Sequence, residues 1–272
     1  MKFIVSNKDK VAKFLTIMKN MKSLLLDVIF GLCEQGLYIQ GMDSAHVGLF
    51  ELKLETGWFD EWKGLKKFHY NLGVNCDALS TIMNCYSAGQ YIEFSYMENS
   101  SETLIIKLEG NGHDKMFELK LIDIDVDLME IPDIEYDADI TMNSSEFNNL
   151  MAESSLFGDT INVSLGIDDF IYMTTTGDRG NMKVRIKEED IVEYALSEDT
   201  TLDHNYALKY CLMYSKFTKI NKNVMLHLKD DTPLKIVYNM GHWIDEKGDL
   251  QEDDDLLNYL GFYLAPKIDE DE

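Results

Sequence analysis

The sequence predicts an α+β fold made of two similar domains, and three observations predict it. Each half of the 272-residue chain contains two segments whose apolar residues recur with helical spacing. Each of these segments is followed by short runs with the composition and alternation of antiparallel strands. The elements come in the same order in both halves, as expected of an internal repeat.

The first half begins with an amphipathic helix, which we predict over residues 11–21 because Phe14, Ile17 and Met18 recur at helical spacing. An apolar run (24–32), a turn (33–36) and an alternating strand (37–40) follow it. A second helix is predicted over 77–87, where Leu79, Ile82 and Met83 share one side. The strand-like runs after it cover 91–96, 103–108 and 115–121.

The second half repeats this order. We predict a helix over 144–155, with Phe147, Leu150 and Met151 on one face, and then strands over 160–166 and 170–175. A fourth helix is predicted over 206–218, followed by strands over 224–228 and 234–238. The two halves therefore supply four units, each a helix plus several antiparallel strands.

Between the halves, residues 121–132 alternate apolar and acidic side chains. Alternation alone predicts a half-buried strand, but Pro132 excludes a central place in a sheet. We therefore interpret the segment as an extended connection with one apolar side held down. The predicted organisation is a first domain over 1–119, a connecting loop over 120–135 and a second domain over 136–272.

The net charge of −24 taken alone argues against a nucleic-acid partner. Positive charge is nevertheless concentrated in residues 7–22 and 205–223, each of which sums to +4. Both segments are predicted helices, so a basic surface for DNA is one interpretation, and two solvated helix faces are the other.

Several classes of site are not indicated. The four cysteines show no CxxC spacing, so we expect reduced thiols of an intracellular protein rather than a metal site. The sequence shows neither a signal peptide nor an apolar run long enough to cross a membrane. It has no phosphate-binding loop, nucleophile elbow, HExxH or dinucleotide turn. We therefore expect no enzyme activity, no catalytic residues, no cofactor and no metal.

Three segments, in order along the chain, resemble the proliferating-cell-nuclear-antigen family of DNA sliding clamps. Residues 42–47 (MDSAHV) look like the family's central loop, and residues 119–132 look like its interdomain connecting loop. Residues 263–268 (YLAPKI), followed by acids, look like its C-terminal tail. The resemblance spans nearly the whole chain.

The resemblance implies a ring of three two-domain subunits, with helices lining the hole and sheets outside. The joint between subunits would pair two edge strands, because an exposed strand edge must be paired or guarded. The residues placed there by analogy are Lys115, Phe117 and Leu119 on one subunit and Met182, Val184 and Ile186 on its neighbour.

The resemblance also implies an apolar pocket for PIP-box-type peptides of partner proteins. The residues that match the family's pocket are Met42, His46, Val47, Leu49, Met129, Ile131, Pro233, Tyr263, Ala265 and Pro266. A pocket containing Met and Tyr can repack around different partners. Leu49 and Ile131 could equally be ordinary core residues. His46 is expected to be structural or to contact the peptide rather than to be catalytic or to bind metal.

The DNA-facing residues that the resemblance suggests are Lys10, Lys13, Lys19, Lys22, Lys209 and Lys216. Such lysines contact phosphates without reading sequence. The second and third helices depart from the family, because uncharged residues stand where relatives carry cations at Thr81, Asn84, Asn149 and Ala152, and the third helix also has Glu153. We therefore expect a less positive lining than usual.

Residues 241–258 look like an acidic insertion relative to the family. One interpretation is a solvated loop, and the other is a regulatory flap beside the peptide pocket, since the segment leads directly to Tyr263.

The function that the resemblance implies is a non-catalytic, homotrimeric processivity factor for DNA polymerase. Its partners would be double-stranded DNA, a polymerase and other proteins with PIP-box-type peptides, a clamp loader and copies of itself, without a membrane. A subunit that works only in a heterotrimer, or a monomeric DNA-tethering scaffold, is the alternative, and a metal-dependent phosphoesterase is a third hypothesis. The abundance of Asn, Lys, Ile and Tyr fits a large DNA virus or a protist, so the expected location is the nucleus or a cytoplasmic replication factory.

Overall fold

The protein folds into two compact units. The computed structural model describes residues 1–63, 70–97, 102–125, 128–168, 170–241 and 257–267. The first unit comprises Met1–Ser44, Phe50–Glu130 and Met240–Leu260, and the second comprises Ala45–Leu49, Ile131–Asn239 and Gly261–Glu272. Both units combine mainly antiparallel sheets with short helices, which confirms the α+β prediction.

The first unit consists of two repeats, each a strand, a helix and further antiparallel strands. The first repeat contains β1 (Lys2–Val5), α1 (Lys8–Asn20), β2 (Asp27–Leu32), β3 (Gly36–Met42), β4 (Gly48–Glu55) and β5 (Glu61–Lys63). The second contains β6 (Tyr70–Asn75), α2 (Cys76–Asn84), β7 (Gln90–Ser95), β8 (Thr103–Gly110) and β9 (Lys115–Lys120).

Strand exchange between the two repeats holds the first unit together. Its strands run in the orders β5-β1-β7-β8-β9 and β4-β3-β2-β6. The first strand of each repeat thus pairs with the other repeat, β1 with β7 and β6 with β2. Phe3 on β1 stacks on Phe94 of β7 with ring centroids 4.9 Å apart, and Phe14 of α1 meets Phe94 edge-on at 5.7 Å. These buried rings join the helix to the five-stranded sheet.

The second unit has the same organisation. Its third repeat contains β10 (Ala138–Asn143), α3 (Ser144–Ser154), β11 (Thr160–Leu165), β12 (Phe170–Gly177), β13 (Gly180–Lys187) and β14 (Glu193–Leu196). The fourth contains β15 (Leu202–Ala207), α4 (Leu208–Tyr214), β16 (Asn223–Leu228), β17 (Leu234–Asn239) and β18 (Tyr259–Leu264). The strand orders are β14-β10-β16-β17-β18 and β13-β12-β11-β15, so β10 and β15 again cross to the partner repeat.

Asparagine caps set the start of three helices. The Asn7 side chain accepts hydrogen bonds from the backbone N–H groups of Asp9 (3.0 Å) and Lys10 (3.3 Å), so α1 begins before the predicted residue 11. Asn75 and Asn143 cap α2 and α3 in the same way. An asparagine amide oxygen satisfies N–H groups that have no partner within the helix.

Two helices are shorter than the sequence predicts. Helix α2 ends at Asn84 rather than near residue 87. The predicted helix over 206–218 is wrong at both ends, because Tyr206 lies in β15 and α4 gives way to a 3₁₀ turn at Ser215–Phe217. Tyr206 is fully buried, so pairing of β15 with β11 outweighs the helical pattern there.

The connecting segment is attached to the first unit near its start. The Ile122 N–H donates to the Gly73 carbonyl at 3.0 Å in an isolated bridge, and no regular strand forms in residues 121–125 and 128–132. Ile122 and Ile124 are half-buried whereas Asp123 and Asp125 are exposed, as the alternation predicts. A Cβ atom at Gly73 would lie 2.1 Å from the Ile122 carbonyl oxygen, so only glycine allows this close approach.

Within the described ranges, no helix combines the length and apolar character needed to cross a bilayer. Most of the predicted acidic insertion, residues 242–256, lies outside the described residues.

Candidate functional site

Two of the predicted pocket residues, Met42 and Met129, belong to the first unit, and the Gln40 side chain binds the backbone of Met129. The Met129 N–H donates to the Gln40 Oε1 at 2.7 Å, and the Gln40 Nε2 donates to the Met129 carbonyl at 3.0 Å. Gln40 lies on β3 two residues before Met42 and is 5% exposed. This reciprocal pair holds the backbone of the connecting loop while the Met129 side chain remains 48% exposed.

Two further polar residues orient Gln40. Its Nε2 also donates to the Tyr38 hydroxyl oxygen at 3.0 Å, and that hydroxyl donates to the Glu51 Oε1 at 2.8 Å. Burial, with the adjacent Glu51 carboxylate, raises the pKa of the Tyr38 hydroxyl well above its ordinary value. The hydroxyl therefore stays protonated and keeps donating to Glu51. A buried polar network with its groups paired fixes one geometry, because each broken bond would leave a desolvated group.

In the second unit, the predicted central loop and C-terminal segment are joined directly. The Ala265 N–H donates to the Val47 carbonyl at 3.0 Å. Farther along, the Lys267 N–H donates to the Asn205 carbonyl at 2.7 Å. Next to Val47, His46 is exposed and has φ +57°, a left-handed conformation that is uncommon outside glycine. The structure thus brings together two of the three segments that resemble the family.

The remaining pocket residues of the second unit differ in exposure. Leu49 and Tyr263 are buried, each 8% exposed, whereas Ile131, Ala265 and Pro266 are half-buried and Pro233 is exposed. Burial of Leu49 agrees with its interpretation as a core residue. Half-buried and exposed members are the ones that a partner peptide could contact directly.

Lys235 is a charged neighbour that sequence reasoning missed. Its ammonium lies 5.6 Å from the centroid of the Tyr263 ring and 5.9 Å from that of Tyr136. Lys235 is on β17, two residues after Pro233, and no motif or spacing in the sequence pointed to it. A cation beside Tyr263 gives this side of the predicted pocket a positive charge.

The lysines predicted to face DNA in α1, and Lys22 in the 3₁₀ turn that follows it, differ in how many contacts their ammonium groups already make. Lys13 makes the most contacts, because its ammonium donates to the Met240 carbonyl at 3.3 Å and pairs with Asp9 at 3.4 Å. Only 15% of its side chain is exposed. Lys10 lies over the Trp58 ring at 5.7 Å, and partial burial lowers its pKa. Lys22 pairs with Asp77 at 3.2 Å, and Lys19 is half-buried.

The other basic segment is more accessible. Lys209 on α4 and Lys216 in the following turn are both exposed, and so is Lys8 in the first turn of α1, which sequence reasoning did not single out. The four positions where cations were expected in α2 and α3, Thr81, Asn84, Asn149 and Ala152, are also exposed, and so is Glu153 of α3. The helices thus carry unequal charge, with cations on α1 and on α4 with its following turn.

The predicted joint residues lie on strands at the ends of sheets. β9 ends the five-stranded sheet and β13 ends the sheet β13-β12-β11-β15, as far as the described residues show. Leu119 is buried, and Phe117, Met182, Val184 and Ile186 are half-buried on the inward-facing side of their strands. Lys115 instead binds its own unit, donating to the Cys85 carbonyl at 2.5 Å and to the Ser87 hydroxyl at 3.0 Å.

Acidic and metal-binding side chains do not converge in the described ranges, which hold no group of three or more His, Cys, Asp or Glu residues able to bind a metal ion. All four cysteines carry free thiols, and burial raises the pKa of Cys76 and of Cys211, each to about 12.

Comparison with known proteins gives a consistent result. The family profile of the proliferating cell nuclear antigen N-terminal domain matches residues 7–130, and that of its C-terminal domain matches residues 130–247. The proliferating cell nuclear antigen of Caenorhabditis elegans is 30% identical over 263 residues, which is 94% of each chain. The two profiles cover consecutive parts of the sequence in the order of the two halves.

Proposed function

Because the chain belongs to the proliferating cell nuclear antigen family of DNA sliding clamps, we propose that it is a processivity factor that encircles duplex DNA as a homotrimeric ring. The resemblance in three sequence segments is confirmed at the level of the family. The observation that carries the proposal is the match of both clamp domains, in order, over residues 7–247. A closed ring holds DNA by topology, so it raises the local concentration of a bound enzyme without tight DNA contacts.

Two sheet ends support assembly of the ring. β9 and β13 each leave one side unpaired by the described strands, and each carries half-buried apolar residues beside that edge. Pairing β9 of one subunit with β13 of the next would complete both ladders and bury Phe117 against Val184 or its neighbours. The joint residues remain predictions of this proposal.

Partner recruitment is proposed to use the surfaces around Met129 in the first unit and Tyr263 in the second. Met129 presents an exposed, flexible apolar side chain on a backbone held by Gln40. The Val47–Ala265 hydrogen bond fixes the loop and the C-terminal segment to each other. Adaptable side chains on a fixed backbone suit recognition of PIP-box-type peptides that differ in sequence.

Duplex DNA is proposed to contact the cations of α1 and of α4 with its following turn. Lys209 and Lys216 are the strongest candidates because they are exposed and belong to a segment without acids. Lys13 is the weakest because Met240 and Asp9 already bind its ammonium. Such contacts are to phosphates and independent of sequence, as sliding requires.

The partners of this clamp would be a DNA polymerase, other enzymes that carry PIP-box-type peptides, and a clamp loader that opens the ring. The proposed location is the nucleus, or a cytoplasmic replication factory if the source is viral.

The test is the native mass in solution by light scattering over a concentration series. We expect three subunits for the unmodified chain. Val184→Glu places a charge in the apolar row of the joint and should give one subunit, whereas Asn181→Glu, an exposed position on the same strand, should leave three. A mass of one subunit for the unmodified chain at every concentration would contradict the homotrimer and favour a heterotrimer subunit or a monomeric scaffold.

A further inference from the structure

The outward faces of the two edge strands in the proposed joint carry a row of cations on β13 and an acidic residue on β9. Along β13, the exposed residues that alternate with the half-buried apolar row are Asn181, Lys183, Arg185 and Lys187. Along β9, the exposed residues are Met116, Glu118 and Lys120. Successive side chains of a strand point to opposite faces of its sheet. The outward rows are therefore separate from the apolar rows that the proposed joint buries.

Two cations of β13 are held by aromatic rings rather than by acids. The Lys183 ammonium lies 4.1 Å from the centroid of the Tyr172 ring, and the Arg185 guanidinium lies 4.4 Å from that of Phe170. Asp168, just before β12, accepts hydrogen bonds from the Phe170 N–H at 3.1 Å and the Tyr172 hydroxyl at 2.8 Å instead. Among the residues that the structure describes, neither cation is in an ion pair, so both can bind a carboxylate of another chain.

The acidic residue of β9 also has no ion-pair partner within the described ranges. Glu118 is exposed, and its direct neighbour across the ladder in β8 is the apolar Ile105. Lys107, the cation diagonal to it in β8, binds Glu93 at 3.4 Å and Glu109 at 3.9 Å instead. The Glu118 carboxylate is therefore available to a cation of another chain.

The apolar rows leave few registers for the joint. Within their own units, β9 and β13 both pair antiparallel to their neighbours, and we take the joint to continue this arrangement. Residues directly opposite each other in such a ladder share one face of the sheet. Phe117 of β9 must therefore lie opposite one of the inward residues of β13, which are Met182, Val184 and Ile186.

The central one of these registers matches the charges. With Phe117 opposite Val184, Glu118 faces Lys183 directly and lies diagonal to Arg185, within reach of its long side chain. One carboxylate then meets both of the cations that have no acid of their own in the described part of the chain.

The two other registers set like charges against each other. Sliding β9 by two residues places Lys120 opposite Lys183 in one direction and opposite Arg179, in the turn before β13, in the other. Like charges directly opposite each other destabilise a ladder. In the central register Lys120 faces Asn181, which carries no charge.

We propose that Glu118 of one copy binds Lys183 and Arg185 of the next copy, and that these charges fix the register of the joint with Phe117 opposite Val184. The partner is a second copy of this chain, because its own two edge strands carry the complementary charges. Pairing of β13 with β13 is disfavoured, since in every register with inward apolar rows the outward cations of the two copies would face one another. The remaining head-to-tail contact is the kind that can close into a ring. This inference rests on the homotrimer proposed above and adds the residues that select its pairing.

The experiment is a charge exchange, measured as the concentration at which half of the trimer has dissociated in a light-scattering dilution series. Glu118→Lys and Lys183→Glu should each raise this concentration at least tenfold, because like charges then face each other at every joint. The double variant Glu118→Lys/Lys183→Glu should return it to within about threefold of the unmodified chain. Lys183→Ala keeps Arg185 and should raise it by no more than about threefold.

Lys63→Glu is the matched control. It makes the same charge change as Lys183→Glu on β5, at the opposite edge of the five-stranded sheet from β9, and 71% of the Lys63 side chain is exposed. It should leave the dissociation concentration unchanged. The exchanged residues are exposed, so circular dichroism should show the same fold in all variants.

Cysteine pairs test the register directly. Phe117→Cys/Val184→Cys in one chain should cross-link three copies under mild oxidation, because a disulfide needs Cβ atoms about 3.5–4.5 Å apart. Phe117→Cys combined with Met182→Cys or with Ile186→Cys should cross-link far less. The unmodified chain, in which Cys85 is exposed, gives the background.

The outcomes separate this inference from the proposed function. If the unmodified chain has the mass of three subunits, three results overturn this inference alone: no recovery in the double variant, an equal loss in Lys63→Glu, or preferential cross-linking at Met182 or Ile186. A mass of one subunit for the unmodified chain at every concentration would overturn the homotrimer and this inference together.

Discussion

At the scale of single residues, His46 is a position of the central loop where the backbone constrains which side chain is tolerated. Its φ of +57° lies in the left-handed region, which costs a non-glycine residue about 1–2 kcal/mol. Histidine is one of the types that tolerate this conformation, whereas β-branched residues do not. The central loop therefore depends on the residue type here.

We expect His46→Val to destabilise the fold by about 1–2 kcal/mol, because the branched Cβ clashes with the left-handed backbone. His46→Gly should change stability little, since glycine relieves the backbone but has more entropy to lose. Urea unfolding of both variants, followed by circular dichroism, gives the comparison. Equal destabilisation by valine and glycine would show that the imidazole, not the backbone, matters for stability.

His227 gives a prediction about pH. Its Nδ1 lies 2.5 Å from the Asp139 carboxylate, yet burial outweighs this contact and lowers the pKa of the imidazole. The unfolded chain then binds a proton at a higher pH than the folded one, so stability falls as pH drops through the ordinary histidine range near 6.5.

In His227→Gln the side chain cannot titrate. The free energy of unfolding should therefore fall less steeply between about pH 7 and pH 5 than in the unmodified chain, and the difference in slope should correspond to uptake of up to one proton on unfolding. Urea midpoints at a series of pH values measure this slope. Identical slopes in the two proteins would contradict a lowered pKa at His227.

Residue-level roles were only partly predictable from sequence. The resemblance to the clamp family suggested Lys13 and Lys19 as DNA-facing, but a match of residue types cannot show that the Lys13 ammonium is bound by the carbonyl of Met240, a residue far away in the chain. Lys235 was missed for the opposite reason, because its importance comes only from the rings of Tyr136 and Tyr263 beside it.

At the scale of elements, Gln40 links β3 to the connecting loop and makes the loop's position depend on one side chain. Gln40→Leu has a similar volume but cannot bind the Met129 backbone. We expect this variant to increase hydrogen exchange at the Met129 amide. It should also lower the affinity for a PIP-box-type peptide about tenfold, the equivalent of about 1.4 kcal/mol. The measurements are exchange by mass spectrometry and peptide affinity by calorimetry.

Tyr38→Phe is a milder change in the same hydrogen-bond network. It removes the hydroxyl that joins Gln40 to Glu51 but keeps both Gln40–Met129 bonds, so its effect on the loop should be smaller. A larger effect than that of Gln40→Leu would mean that the buried Glu51 carboxylate dominates, since it would then lose a partner in a dry site.

The amphipathic helices were predictable because their apolar stripe is a local signal, and α3 agrees with its prediction within one residue. The strand that precedes each helix could not be predicted in this way. β1 has only four residues, and its partners are β5 and β7, which come much later in the chain. The last two residues of β15, Tyr206 and Ala207, were assigned to the fourth helix, because nothing local separates them from the helical pattern that follows. Strand exchange between repeats is a long-range property that local periodicity cannot show.

At the scale of the whole molecule, the charge distribution is the feature that bears most on function. A chain of −24 net charge repels DNA in general, so the proposed DNA binding depends on exposed cations that have few acids near them. Lys209 and Lys216 lie in a segment without acids, whereas α1 carries Asp9, and Lys22 in the 3₁₀ turn after α1 pairs with Asp77. The fourth repeat should therefore dominate contact with phosphates.

The double variant Lys209→Ala/Lys216→Ala tests this directly, with Lys183→Ala, an exposed lysine on the outward face of β13, as its control. Each lost phosphate contact should reduce the slope of log affinity against log salt by about one, so the double variant should lower it by about two. Anisotropy of a labelled duplex measured from low to physiological salt gives the slope, with native mass checked in parallel. If the control lowers the slope as much, DNA binding does not depend on the α4 segment. If neither variant lowers it, α1 supplies the phosphate contacts, and Lys8, exposed in its first turn, becomes the next residue to replace.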